Sequence, residues 1–289
     1  MFTIRLPTDA EAEDQGFRGP DAQRRREVLR ETISAFDRCE PADYFHESAR
    51  ANLARWAEAA HPLTTSAAPL VLQGDWGEVT QMLTKTYGAC FAVLNMANAY
   101  FPGGAYGLGA VAQEENMFRR TDCHFRVRRE HLANDERIYT PEMFRLLSAQ
   151  DGRVYLDLES PRVCIRGTED RSVPDLGYRW LPEDEIFPYF ELRAAAQDLR
   201  GGEPFDASET RRRIAAQINT LRAHGIRHVV FGAFGCGAFR NPAQWVAKLY
   251  REEIERCFGD FSVVAFAIFS AGYGPGNYLP FKAVFDKPG

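Results

Sequence analysis

Apolar positions along this chain follow two rhythms. Val28, Leu29, Ile33 and Phe36 fall on one face of a helix over Pro20 to Cys39. A second helix is expected over Glu47 to Ala59, followed by a linker over His61 to Pro69. Short apolar runs then recur at Leu70 to Leu72, Phe91 to Leu94, Val154 to Leu158, Val163 to Arg166, 228–232 and 262–269, each of the length of a buried strand. Helical patterns lie between them. Asp75 and Glu78 are spaced as a capping box for Trp76 to Tyr87. A helix is expected over Pro141 to Leu147, and Asp206 opens another that runs to His224 and ends at Gly225. Asn241 and Pro242 suit the N-cap and first turn of a helix over 242–258. Residues 1–20 read as a loose lead-in, 167–189 as a long ordered loop, and the tail from Ser270 as turn-rich. Strands alternating with helices predict an α/β three-layer core around a mixed, mostly parallel sheet. The first 65 residues read as a helical N-terminal extension and 66–289 as the core domain.

Two segments interrupt this pattern in the same way. After Phe91 to Leu94 the chain enters a loop with Pro102, Gly103, Gly104, Gly107 and Gly109, then a helix opening near Val111 whose first turn holds Gln113, Glu114 and Glu115. After Val229 to Phe231 it enters a second loop with Gly232, Gly235 and Gly237. A strand, a glycine-rich turn and a helix N-terminus make a seat for an anion, because unpaired N–H groups and the helix dipole point outward there. Two such seats could close on one diphosphate. Neither loop has the Lys-Ser/Thr pair of a P-loop, and GAFGCG at 232–237 is not GxGxxG, so backbone amides would do most of the holding.

Composition narrows the field. With 45% hydrophobic and 26% charged residues among 289, the chain is an ordinary globular protein with room for a large core. A net charge of −5 argues against a nucleic-acid binder. No run approaches the ~20 apolar residues of a membrane span, and the N-terminus lacks the apolar core of a signal peptide. Six scattered cysteines without a CxxC suggest reduced thiols, and no histidine has metal-ligand spacing. The expectation is a cytoplasmic protein, or one secreted into a host cell by a specialised route, that uses no metal and no cofactor.

NMANAYFPGGA followed by AVAQEE resembles the signature of the poly(ADP-ribose) glycohydrolase branch of the macrodomains. GAFGCGAFRNP resembles that branch's second phosphate-binding loop, and the N-terminal helices resemble the extension of its microbial members. The resemblance implies a macrodomain core and places Glu115 on the catalytic glutamate, with Glu114 as its ribose-orienting neighbour. It implies a ribose contact at Asn98 and a first diphosphate loop at Gly103, Gly104 and Ala105, beside Gln113. Gly235, Cys236, Gly237 and Ala238 would line the second loop, Phe239 would pack over the ribose, and Asn277 and Phe281 would serve the adenine end. Alanine at 105 departs from a glycine triplet. If that position needed φ > 0, it would cost about 1 kcal/mol or more.

The chemistry of glycoside cleavage agrees with a paired acid at this place. An oxocarbenium-like state needs nearby negative charge and a group that moves a proton. Neighbouring helical residues diverge by about 100°, so Glu114 and Glu115 are expected to divide holding and reacting between them. Cys236 has no particular histidine to activate it. In detail the first motif resembles a subgroup acting on ADP-ribosyl-arginine, including bacterial effectors that reverse arginine modification of ubiquitin. Asp170, Asp175 and Asp184, in the acid-rich loop, could meet a guanidinium. The expected function is therefore release of ADP-ribose from modified protein (ubiquitin or another arginine-modified substrate), with mono-ADP-ribosyl-arginine as the leading linkage. The alternatives are poly(ADP-ribose) glycohydrolysis and a non-catalytic ADP-ribose reader, which would need no paired acids. A phosphohydrolase, the third alternative, would want a carboxylate metal cluster.

Overall fold

The computed structural model describes residues 4–60, 68–134, 137–270 and 276–286; most of the 61–69 linker and part of the tail after Ser270 lie outside them. Among the described residues the strands are β1 (Leu70–Gln73), β2 (Ala92–Met96), β3 (Tyr155–Cys164), β4 (Phe187–Ala194), β5 (His228–Phe231) and β6 (Val263–Ile268). They form one sheet in the order β1-β6-β5-β2-β4-β3. Every pairing is parallel except that of β3 with β4. The helices are α1 (Asp9–Asp14), α2 (Pro20–Arg38), α3 (Tyr44–Ala59), α4 (Trp76–Tyr87), α5 (Gln113–Arg120), α6 (Pro141–Leu147), α7 (Ala207–Ala223), α8 (Ala243–Glu255) and α9 (Tyr278–Phe285).

Strand periodicity divides the interior in two. Ala92, Leu94, Val229, Phe231, Val264 and Phe266 face one side, where they pack with buried residues of α7, α8 and α9. Phe91, Val93, Val230, Val263 and Ala265 face the other and pack with residues of α2, α3, α4 and α5. Successive side chains of a strand point to opposite faces, so these near-continuous apolar runs serve two cores at once. The α/β three-layer, mostly parallel architecture is as expected from the sequence.

Local expectations fare unevenly. Asp75 accepts the amides of Gly77 and Glu78 in the anticipated capping box, and Asp206 caps α7. The two runs at 154–166 are a single strand, β3, with an irregularity between Asp157 and Arg162. Asn241 does not cap α8. Pro242 holds that place, and the Asn241 amide instead donates to the carbonyls of Gln197 (2.8 Å) and Gly235 (3.1 Å), stapling the second loop. The lead-in contains α1, whose Thr8 and Glu11 form a capping box. The tail contains α9, and the loop from 167 gives way to β4 at Phe187.

One feature of the sheet positions the site. β2 and β5 pair at Ala92↔Val229 and Val93↔Val230, while β2 stays with β4 as far as Met96. The sheet therefore splits at the carboxyl end of β2, and such a crevice beyond the strand ends is where open α/β sheets bind ligands.

Candidate active site

Both glycine loops leave the sheet at this split and enclose a cavity of about 450 Å³, a volume typical of small-ligand sites. Gln113 fills the gap between β2 and β5. Its Oε1 accepts the Met96 amide at 2.9 Å and its Nε2 donates to the Leu94 carbonyl at 2.8 Å. The first turn of α5 is thereby fixed to the end of β2.

The next two residues project into the first loop. Glu114 is buried, and both its oxygens are occupied: Oε2 accepts the Asn98 amide at 2.7 Å and Oε1 the Gly103 amide at 3.1 Å. Glu115 Oε1 accepts the Ala105 amide at 3.1 Å, while no other described residue bonds its Oε2, and the side chain lines the cavity. Glu114, expected to hold sugar hydroxyls, instead spends both oxygens on amides of the loop, and Glu115 spends one on the Ala105 amide. The two converge more than helical divergence suggested. A Cβ built on Gly104 would lie 2.5 Å from Glu115 Oε1 and 3.3 Å from Glu114 Oε2. Gly103 and Gly104 both take positive φ (74° and 57°), as a tight turn around two carboxylates requires. Ala105 has φ −102°, so the departure from a glycine triplet carries no backbone strain.

Burial raises both carboxyls above the ordinary glutamate value, and for Glu114 the Glu115 charge adds to the effect. For Glu115 the Ala105 amide and the charges of Arg119 and Arg200 work in the opposite direction. A carboxyl raised in this way and left with an open oxygen holds its proton more readily than an ordinary glutamate and can pass it on.

The diphosphate seat is distributed differently from the expectation. The amides of Asn98, Gly103 and Ala105 serve the two glutamates, and that of Gly104 donates to the Phe101 carbonyl. Gly103 and Gly104 therefore shape the loop from behind and do not line the cavity. The amides of Val111 and Ala112, which do line it, have no partner among the described residues. In the second loop the amides of Gly235, Gly237, Ala238 and Phe239 are likewise without partners, and all four residues line the cavity. Gly235 has φ 72° and its Cβ position is closed by Ala196 at 2.5 Å. Cys236 is turned into the core behind this loop, where burial raises its thiol well above the ordinary value, and it does not line the cavity.

Asn98 lines the cavity, with its Oδ1 accepting the amides of Tyr100 and Phe101, so its Nδ2 is the end left for a ligand. Phe239 and Asn277 also line it, whereas Phe281 is fully buried against Phe266, a core residue rather than a ligand contact. Asp170, Asp175 and Asp184 do not reach the cavity either. Asp170 caps its own turn through Ser172, and Asp175 and Asp184 lie exposed. The acid of that loop which does line it is Glu169. Although burial opposes it, hydrogen bonds from Arg25, Tyr178 and Arg171 hold the Glu169 carboxyl down to about 2. Thr168, Arg171, Arg200 and Phe17 complete that part of the wall, and none was singled out from the sequence.

Comparison with known proteins bears on this site. Residues 36–146 match the family model for the catalytic domain of microbial-type PARG, poly(ADP-ribose) glycohydrolase. The fold is similar to that of the PARG of Thermomonospora curvata, with a TM-score of 0.60 and 22% identity over 90% of this chain and 99% of that one. The same PARG bound to the inhibitor ADP-HPD gives a TM-score of 0.61 over the same coverage. The PARG of Deinococcus radiodurans in complex with ADP-ribose gives 0.54, with 21% identity over 98% of this chain and 99% of that one. No curated protein sequence matches the chain. The segment holding β2, the first glycine loop and the Glu114–Glu115 pair is thus similar to a microbial-type PARG catalytic domain.

Proposed function

We propose that the chain releases ADP-ribose from poly(ADP-ribose), with Glu115 as the acid and base of the reaction. The open Oε2 of Glu115, on a carboxyl that burial has raised, carries this reading. The free amides at Val111, Ala112 and the second loop hold the diphosphate, and the Asn98 amide nitrogen and the Phe239 ring border the terminal ribose. Protonated Glu115 gives its proton to the bridging oxygen as the C1″–O bond breaks. The resulting carboxylate stabilises the oxocarbenium-like state, then takes a proton from the water whose oxygen bonds to C1″. Glu114 stays on the Asn98 and Gly103 amides throughout and keeps the loop closed around the ribose.

The polymer is favoured over the arginine linkage by the match to the PARG catalytic domain and by the cavity's own acids. Recognition of a guanidinium calls for a free carboxylate beside the scissile bond. The three aspartates anticipated for that purpose stand away from the cavity, and Glu169 is already paired with Arg25 and Arg171.

The test is incubation with poly(ADP-ribose) and, separately, with an ADP-ribosyl-arginine peptide, both in EDTA. Free ADP-ribose from the polymer, lost in Glu115→Gln while ADP-ribose binding persists, is the expected result. Release from the arginine peptide alone would restore that linkage as the substrate. Tight binding without release would make the protein a reader, and AMP would mark a phosphohydrolase.

A further inference from the structure

Phe17 is an aromatic residue that the fold leaves outside its apolar cores. It is only partly buried, and it lines the cavity. The backbone around it is nevertheless fixed on both sides. Its amide donates to the Ala12 carbonyl at 3.0 Å, and its carbonyl accepts from Arg26 Nη1 at 3.1 Å. The same Arg26 nitrogen reaches the Leu108 carbonyl in the first glycine loop at 3.2 Å, and Arg26 Nε reaches Asp9 at 2.6 Å. Arg26 is almost wholly buried. One guanidinium thus binds the α1–α2 turn to the loop whose amides hold Glu114 and Glu115. Gly16 and Gly19 flank the turn at φ 89° and 92° with open space at their Cβ positions, so chain direction, not crowding, calls for glycine there. Loop and helix also touch closely elsewhere, since a Cβ on Gly109 would lie 2.3 Å from the Ala22 carbonyl oxygen.

We infer that Phe17 is a binding residue for the base of the nucleotide, supplied to the site by the N-terminal segment; this rests on the ADP-ribose reading above. Asn98 and Glu115 border the glycosidic carbon, and the free amides, with Phe239 among them, take the diphosphate and its adjoining ribose. A further stretch of the wall carries Phe17 with Thr168, Glu169, Arg171 and Phe269. It is continuous: Arg25, next to Arg26 on α2, bonds Glu169 at 2.8 Å, Arg171 bonds Glu169 at 2.8 Å, and the Arg171 guanidinium lies 6.0 Å from the Phe269 ring centroid. Of the parts of ADP-ribose, the base alone has a flat π face for an aromatic ring to stack on.

The experiment compares wild type, Phe17→Ala and Phe17→Tyr by calorimetric titration with ADP-ribose, by ligand-observed NMR with ribose 5-phosphate, and by thermal melting. Phe17→Ala is expected to bind ADP-ribose roughly tenfold more weakly, the effect of one lost stacking contact. Its ribose 5-phosphate signals and its melting temperature should match wild type, and Phe17→Tyr should restore affinity. Equal ADP-ribose affinity in Phe17→Ala would overturn the inference. So would an equal loss for both ligands together with a lowered melting temperature, which would mark a structural residue. Failure of wild type itself to bind ADP-ribose would instead remove the proposed function.

Discussion

Gln113 stands to Met96 as a neighbouring strand would. Its side-chain Oε1 accepts the Met96 amide at 2.9 Å, one residue after Asn95 and at the point where β5 has left β2. The other end of the same amide takes the Leu94 carbonyl, so both ladder positions that β5 abandons are filled by one side chain. Gln113→Leu keeps the volume and removes both bonds. It is expected to cost about 1–3 kcal/mol in urea unfolding, the range for a buried polar group left unpaired. Because Glu114 and Glu115 follow directly on α5, turnover should fall more than stability does. Unchanged turnover in a destabilised variant would show that the Glu115 position does not depend on this clasp.

Gly104 and Ala105 are adjacent and should respond in opposite ways to a change of one methyl group. Gly104→Ala puts a Cβ 2.5 Å from Glu115 Oε1 at φ 57°. It is expected to lose at least about 1 kcal/mol of stability to the left-handed backbone alone, and most activity through displacement of the carboxylate. Ala105→Gly, at φ −102°, relieves no strain. It should cost about 0.5–1 kcal/mol through the freer unfolded chain and leave turnover within roughly twofold. Steady-state kinetics on the two single variants decides this, and a faster Ala105→Gly enzyme would mean that alanine does constrain the loop.

The sheet's apolar strands and the acidic pair after the first glycine loop were legible because each is written in consecutive residues. β4 was not. Pro188, Glu191 and Arg193 break its apolar run, and the reason they are tolerated lies far away in sequence. Glu191 bonds Arg193, Arg162 of β3 and Asn95 of β2, all of them fully buried. α9 was obscured by Pro280, which sits within its first turn, where an N–H is unpaired in any case. In the site, a glycine-rich loop suggested amides aimed at phosphate, and no local pattern could show that three of them would meet the glutamates instead. Phe17 did leave a trace, the flanking Gly16 and Gly19, but nothing in the sequence connects that turn to a cavity formed some ninety residues later.

The Glu191–Arg193 pair also gives a stability contrast. Arg193→Met leaves a buried carboxylate with one fewer charge partner and should cost about 3–5 kcal/mol. Arg222→Met breaks the Arg222–Asp260 pair, whose side chains are 44% and 49% exposed, and should leave stability close to that of wild type. Urea denaturation of the two variants checks this. Equal losses would mean that the buried cluster is replaceable by apolar packing.

The site glutamates and the structural acids should impose opposite pH dependences on stability. Glu114 and Glu115 have carboxyls raised by burial, so the folded state favours their protonated forms. The stability compatible with them is fully present below about pH 4.5 and is lost as pH rises through their folded values. Asp122, Glu169 and Glu191 are the reverse. Burial opposes it, but their partners (His46 and Arg126 for Asp122, Arg25 and Tyr178 for Glu169, Arg193 and Arg162 for Glu191) hold each near about 2. Their contribution is present above the ordinary carboxylate range and disappears as pH falls toward about 2. Glu115→Gln keeps an oxygen for the Ala105 amide and removes the ionisation. It is expected to melt above wild type near about pH 8 and level with it near about pH 4, while both unfold in the same acid range. Melting curves across that interval provide the check. A difference that is flat with pH, or a wild type more stable than Glu115→Gln in alkali, would show that the Glu115 carboxyl is not raised in the folded protein, and with it would go the proton-transfer role assigned to Glu115.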